Sequence, residues 1–67
     1  MKNTPYSIMI QYKGRNPIVG ETTYRIVQAH KRLRYESQIN DGRIVDIVTA
    51  NGVIIASNVP ERVSSKS

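Results

Sequence analysis

The sequence predicts an α+β fold, with one helix packed on a three-stranded antiparallel sheet in the order β-α-β-β. Three observations carry this reading. Tyr6 to Tyr12 alternates as a half-buried strand does, Thr22 to Gln38 follows a helical period, and two β-branched runs flank Asn51-Gly52.

In the first strand, Tyr6, Ile8, Ile10 and Tyr12 share one face and Ser7, Met9 and Gln11 the other. Lys13-Gly14-Arg15-Asn16-Pro17 then breaks the strand with turn residues. At 100° per residue, Thr23, Ile26, Ala29, His30, Leu33 and Ser37 gather on one side of the helix, with Val27 at the edge of the stripe. Thr22 or Thr23 is placed to cap its start through a side-chain hydroxyl, and Asn40-Asp41-Gly42 to stop it. Ile44–Thr49 and Val53–Val59 form a hairpin whose Asn-Gly pair suits a two-residue type I′ turn. The domain spans residues 1–60, and the polar tail 61–67 is expected to be disordered. Which of the two hairpin strands receives the first strand is left open by the pattern.

Sixty-seven residues make one domain. A chain this short buries only about 60% of the surface its unfolded form exposes, so the core must be thin. It has no cysteine, which excludes disulfides and thiolate metal sites and fits a cytosolic protein. No apolar run approaches the roughly 20 residues of a membrane span. Met1 to Pro5 leads into no small-residue cleavage pattern, so the expected location is the cytoplasm, with no membrane partner.

Catalytic chemistry has little to work with. His30 is the single histidine and falls on the inward stripe, no serine sits in a Gly-x-Ser-x-Gly turn, and the four glycines are isolated. Glu21, Glu36, Asp41, Asp46 and Glu61 form no evident convergent pair. The chain therefore reads as a binding protein and not an enzyme, with no catalytic residues, cofactor or metal.

Ten Lys and Arg against five Asp and Glu give a net charge of +5, which concentrates anions around the molecule. Tyr24, Gln28, Lys31 and Tyr35 lie on the helix face opposite the apolar stripe, with Arg25 and Arg32 beside them. Cations neutralise phosphates while tyrosines stack on bases, so this face suits DNA or RNA; Tyr and Arg equally anchor protein interfaces. Lys13 and Arg15 in the first loop extend the candidate site, as does Arg43 at the start of the second strand.

Closing the hairpin on Asn51-Gly52 sets Ala50 opposite Val53, Thr49 opposite Ile54, Val48 opposite Ile55 and Ile47 opposite Ala56. Val45, Ile47, Ile54 and Ala56 then share one face and Ile44, Val48, Val53, Ile55 and Val59 the other. One helix covers one face. The uncovered face predicts a homodimer or a docked partner, unless a bulge shifts the register or the tail folds across it.

Residues 42–56, Gly-Arg-Ile-Val-Asp-Ile-Val-Thr-Ala-Asn-Gly-Val-Ile-Ile-Ala, resemble small phage-borne type I anti-CRISPR proteins of similar length and strand-helix-strand-strand order. Where those relatives carry an aromatic, lysine-bearing C-terminal end, this chain has Ser57-Asn58-Val59-Pro60 and a polar tail without tryptophan. The resemblance implies an inhibitor that docks on a host protein or ribonucleoprotein complex. A small basic nucleic-acid-binding regulator, monomeric or dimeric, is the alternative.

Overall fold

The computed structural model describes residues 4–64, so residues 65–67 of the expected tail lie outside the described residues. The fold is α+β with four strands, one more than the sequence pattern shows. The strands are β1 (Tyr6–Gln11), β2 (Ile18–Thr23), β3 (Ile44–Val48) and β4 (Ile54–Ser57), and the helix α1 (Ile26–Ser37) lies between β2 and β3 in sequence. They form one open sheet in the order β2-β1-β3-β4 with every neighbouring pair antiparallel, so the first strand lies beside Ile44–Val48. Among the described residues no helix is long and apolar enough to cross a membrane.

The unexpected strand β2 begins just after the Lys13–Pro17 break, where Gly14 takes a φ of 76° and the Arg15 N–H donates to the Tyr12 carbonyl at 2.9 Å. Ile8 pairs with Glu21 and Met9 with Val19, which leaves Gly20 as a bulge. A bulge inserts one residue and breaks the two-residue period, and this is what hides β2 from an alternation test. Thr22 and Thr23, assigned to the helix by their spacing, are strand residues opposite Ser7 and Tyr6. The Thr23 hydroxyl does accept a backbone N–H, that of Arg25 at 3.2 Å, but as a turn between strand and helix. The helix cap itself is Arg25, without a side-chain bond.

A Cβ built on Gly20 would lie 2.5 Å from Ile10 Cδ1 and 3.4 Å from the Ile8 carbonyl oxygen. Ile10 is buried and has little room to give way. Gly20→Ala is therefore expected to lower stability by about 1–2 kcal/mol, a typical overpacking cost. An unchanged thermal midpoint would mean that β1 and β2 are not held this closely.

The hairpin turn is also not the expected one. Gly52 has a φ of 85°, but among the described residues none other than glycine has a positive φ, so Asn51 does not meet the type I′ requirement. The Gly52 N–H donates to the Thr49 carbonyl and the Thr49 N–H to the Val53 carbonyl, both at 2.9 Å. The loop is therefore the three residues Ala50-Asn51-Gly52, with Gly52 in the left-handed position of a three-residue hairpin. This displaces the register by one, giving Val48 opposite Ile54, and a bulge at Ile55 restores it at Ile47 opposite Ala56. The two isoleucines thereby exchange faces. Ile54 joins Val48 on the far face, while Ile55 packs with Ala56 against the core.

The core lies between α1 and the sheet. Ile8, Ile10, Val45 and Ile47 meet Ala29, and all five are buried, with Tyr6, Leu33, Ile55 and Ala56 packed around them. Alanine at position 29 lets the helix backbone approach the sheet. The helix is rotated relative to the expected stripe, because Glu36 is buried beside Ala29 whereas His30, Ile26, Val27 and Ser37 are exposed.

The far face is only half-buried, at Met9, Val48, Ile54 and Ser57, and Asp46 at its centre is 4% exposed. A 3₁₀ turn over Pro60–Arg62 brings Arg62 across it. Arg62 donates to Asp46 from Nε at 3.2 Å and from Nη2 at 2.8 Å. The Ser64 N–H then donates to the Ile54 carbonyl at 2.9 Å, and the Ile54 N–H to the Ser64 hydroxyl at 3.3 Å. Thus the segment expected to be disordered is placed against the sheet as far as Ser64. The segment therefore covers part of the far face, the alternative to an uncovered face that the sequence leaves open.

Candidate polyanion-binding face

The charge pattern is built from pairs that the sequence separates. Glu36 receives Arg32 Nε at 2.8 Å on one oxygen and Arg43 Nη1 on the other. Arg32 also donates from Nη1 to Glu21 of β2 at 2.9 Å, and Arg43 from Nη2 to Asp41 at 2.7 Å. The guanidinium of Arg43 stands 4.8 Å over the Tyr12 ring. One chain, Glu21-Arg32-Glu36-Arg43-Asp41, thereby ties the edge strand to the helix and the helix to the start of β3.

These contacts move the titrations in the expected directions. The Arg43 guanidinium is held above its ordinary range, first by its hydrogen-bonded Asp41 carboxylate and then by Glu36. Arg32 is raised chiefly by Glu36, and Arg62 chiefly by Asp46. Asp41 is lowered by Arg43. A depressed carboxylate supports the fold above its unfolded value and loses that support as the pH falls through its lowered one, so this end of the network weakens only in acid.

Four of the five carboxylates, Glu21, Glu36, Asp41 and Asp46, are therefore paired with three arginines. Arg32 and Arg43, which the sequence offers for an outer face, belong to this framework. Arg25, Lys31, Lys13 and Arg15 are exposed and make no ion pair among the described residues. Arg34 shares these properties and was not among the expected residues; its spacing of three from Lys31 is the signal that places it on the same outer side. Tyr24 and Tyr35 are each 62% exposed, Gln28 is exposed, and Val27 is 65% exposed between them.

No family model, curated protein or solved structure matches the chain. The reading of the face rests on its own chemistry.

Two parts of the expected site separate in the fold. Arg25, Ile26, Val27, Gln28 and Lys31 line a shallow open concavity along the first turns of α1. Lys13 lies against Gly42, just past the C-terminal end of the helix, and Arg15 is in the same β1–β2 turn. The cations thus follow the length of α1 and do not converge on one pocket. Among the described residues no group of three or more His, Asp or Glu side chains could hold a metal ion. An elongated array of cations and aromatic rings can hold an extended anionic surface.

Proposed function

We propose that the protein is a non-catalytic binding domain that docks through the outer face of α1 on an anionic surface of a nucleic-acid-handling complex, and so obstructs it. The observation that carries this is the segregation of charge. Arg32, Arg43 and Arg62 pair with four carboxylates within the fold, and the cations left without ion pairs among the described residues are Lys13, Arg15, Arg25, Lys31 and Arg34. The outward field is accordingly more one-sided than the composition implies, and such a field steers association with polyanions. The resemblance of residues 42–56 to phage-borne anti-CRISPR proteins supports the obstructing role over mere attachment.

The exposed Tyr24 and Tyr35 favour a second reading, a nucleic-acid-binding regulator acting alone, because aromatic rings beside cations stack on bases. One pair of measurements separates the two. Fluorescence anisotropy with generic duplex DNA and with single-stranded RNA, at low and physiological salt, reads direct binding. Plasmid interference in cells with an active type I CRISPR system reads obstruction. Relief of interference without salt-sensitive binding to free nucleic acid supports the inhibitor. Salt-sensitive binding without relief supports the regulator, because counterion release makes phosphate contacts weaken steeply with salt. Neither effect would overturn both.

A further inference from the structure

The two edges of the sheet are not alike. On β4 the outer edge is engaged at Ile54 by Ser64, through the bonds described above. On β2 no backbone hydrogen bond reaches the outer edge among the described residues. Folded proteins commonly guard such an edge with lysines, prolines or inward-pointing charges. The guards here are few. Pro17 precedes the strand, the single bulge at Gly20 leaves Ile18-Val19 and Glu21–Thr23 extended, and the one charge, Glu21, is neutralised by Arg32. Ile18 and Val19 are 50% and 57% exposed. By pairing, Ile18 stands with Ile10 on the helix side and Val19 with Met9 on the far side.

We infer that β2 is the interface with a second copy of this chain, the two β2 strands pairing antiparallel to continue the sheet from four strands to eight. The choice of occupant follows from three features. The strand's one charge, Glu21, is already paired with Arg32, which softens its repulsion of the same residue in a second copy. The other edge is engaged at Ile54, so pairing through β2 closes on a dimer and does not propagate as a fibre. The contact area suits a weak, transient dimer. Six residues at about 3.3 Å each make an edge roughly 20 Å long, and a sheet with one helix layer stands roughly 20 Å high. The footprint is then about 400 Å² per partner, below the standard size of stable interfaces.

The geometry of the pairing has a consequence. A two-fold axis between antiparallel strands of one sheet is perpendicular to that sheet, so both helices lie on the same side. The helix flank bearing Arg32, Gln28 and Tyr35 is the one turned toward β2, as the bond from Arg32 to Glu21 shows. In the dimer these flanks face each other across a cleft floored by the paired β2 strands, and the basic outer faces join into one surface twice as long. That last consequence rests on the polyanion reading; the dimer itself does not.

Sedimentation equilibrium from micromolar to millimolar chain, without any nucleic acid, tests the interface. The expected result is a monomer–dimer equilibrium that tightens as salt rises, since two copies of net charge +5 repel and salt screens them. Polyanion binding responds in the opposite direction, so failure of one idea is distinguishable from failure of the other. Val19→Lys is expected to weaken the dimer by about a hundredfold, because it sets like charges near one another across the axis. A chain that stays monomeric throughout overturns the proposal. So does a dimer untouched by Val19→Lys but lost in Val48→Lys, which would place the contact on the far face. Should Val19→Lys fail to fold, hydrogen exchange of the wild type decides: amides of Ile18–Thr23 must gain protection as concentration rises, and unchanged exchange there overturns the interface.

Discussion

Glu36→Ala is expected to lower the stability of the chain by about 2–4 kcal/mol. The residue is 4% exposed and its carboxylate is the middle member of the chain that joins β2, α1 and the start of β3. Removing it leaves Arg32 with Glu21 and Arg43, its side chain only 12% exposed, with Asp41, each still paired but with a donor that has lost its acceptor. Two charged donors left without their acceptor cost together about 2–4 kcal/mol. A domain of this length has roughly 3–10 kcal/mol in all, and five buried core residues put this one toward the lower figure. Glu36→Gln retains the shape and one acceptor oxygen and should cost less, about 1–3 kcal/mol. Urea unfolding followed by circular dichroism measures both. If the two variants melt with the wild type, the network contributes specificity of pairing and not stability.

The second large effect is on binding. Lys31→Glu with Arg34→Glu is expected to reduce affinity for a polyanion by roughly a hundredfold at low salt, and to flatten the salt dependence by about two contacts. Stability should stay within about 0.5 kcal/mol per site, as for exposed residues without partners. Arg32→Ala supplies the contrast. It lies one residue from Lys31, yet it faces Glu21 and Glu36, so it should lower the melting temperature and leave the affinity of the folded protein nearly unchanged. Equal losses of affinity in both variants would place the contact on the β2 flank of the helix and not on its outer side.

That contrast marks the boundary of what a linear pattern reports. Gln28, Lys31 and Tyr35 are legible as an exposed set because a helical period is local and needs only its own residues, whereas Tyr24, expected on the same helix face, lies before α1 in the bend that follows β2. Arg32 is not legible, since nothing near it in sequence announces Glu21, eleven residues away on a strand. The rotation of the helix that buries Glu36 and exposes His30 has the same origin. Apolar spacing favours one orientation, and a carboxylate with partners on other elements favours another.

By itself the sequence determined β1, the existence of the helix and the hairpin, the opposition of Ile47 and Ala56, and the absence of cysteine chemistry. Each depends on residues close along the chain or on composition. Only the tertiary structure decided that Ile18–Thr23 is a strand, that Ala50-Asn51-Gly52 is a three-residue turn, and that a bulge at Ile55 repairs the register. It also decided which cations are committed to carboxylates and which face outward, and that Arg62 crosses the far face to Asp46. The physical reason is common to all of these. Bulges and turn lengths are set by the partner strand, and ion pairs by which charged ends the packed core brings within reach, so neither leaves a period in the sequence.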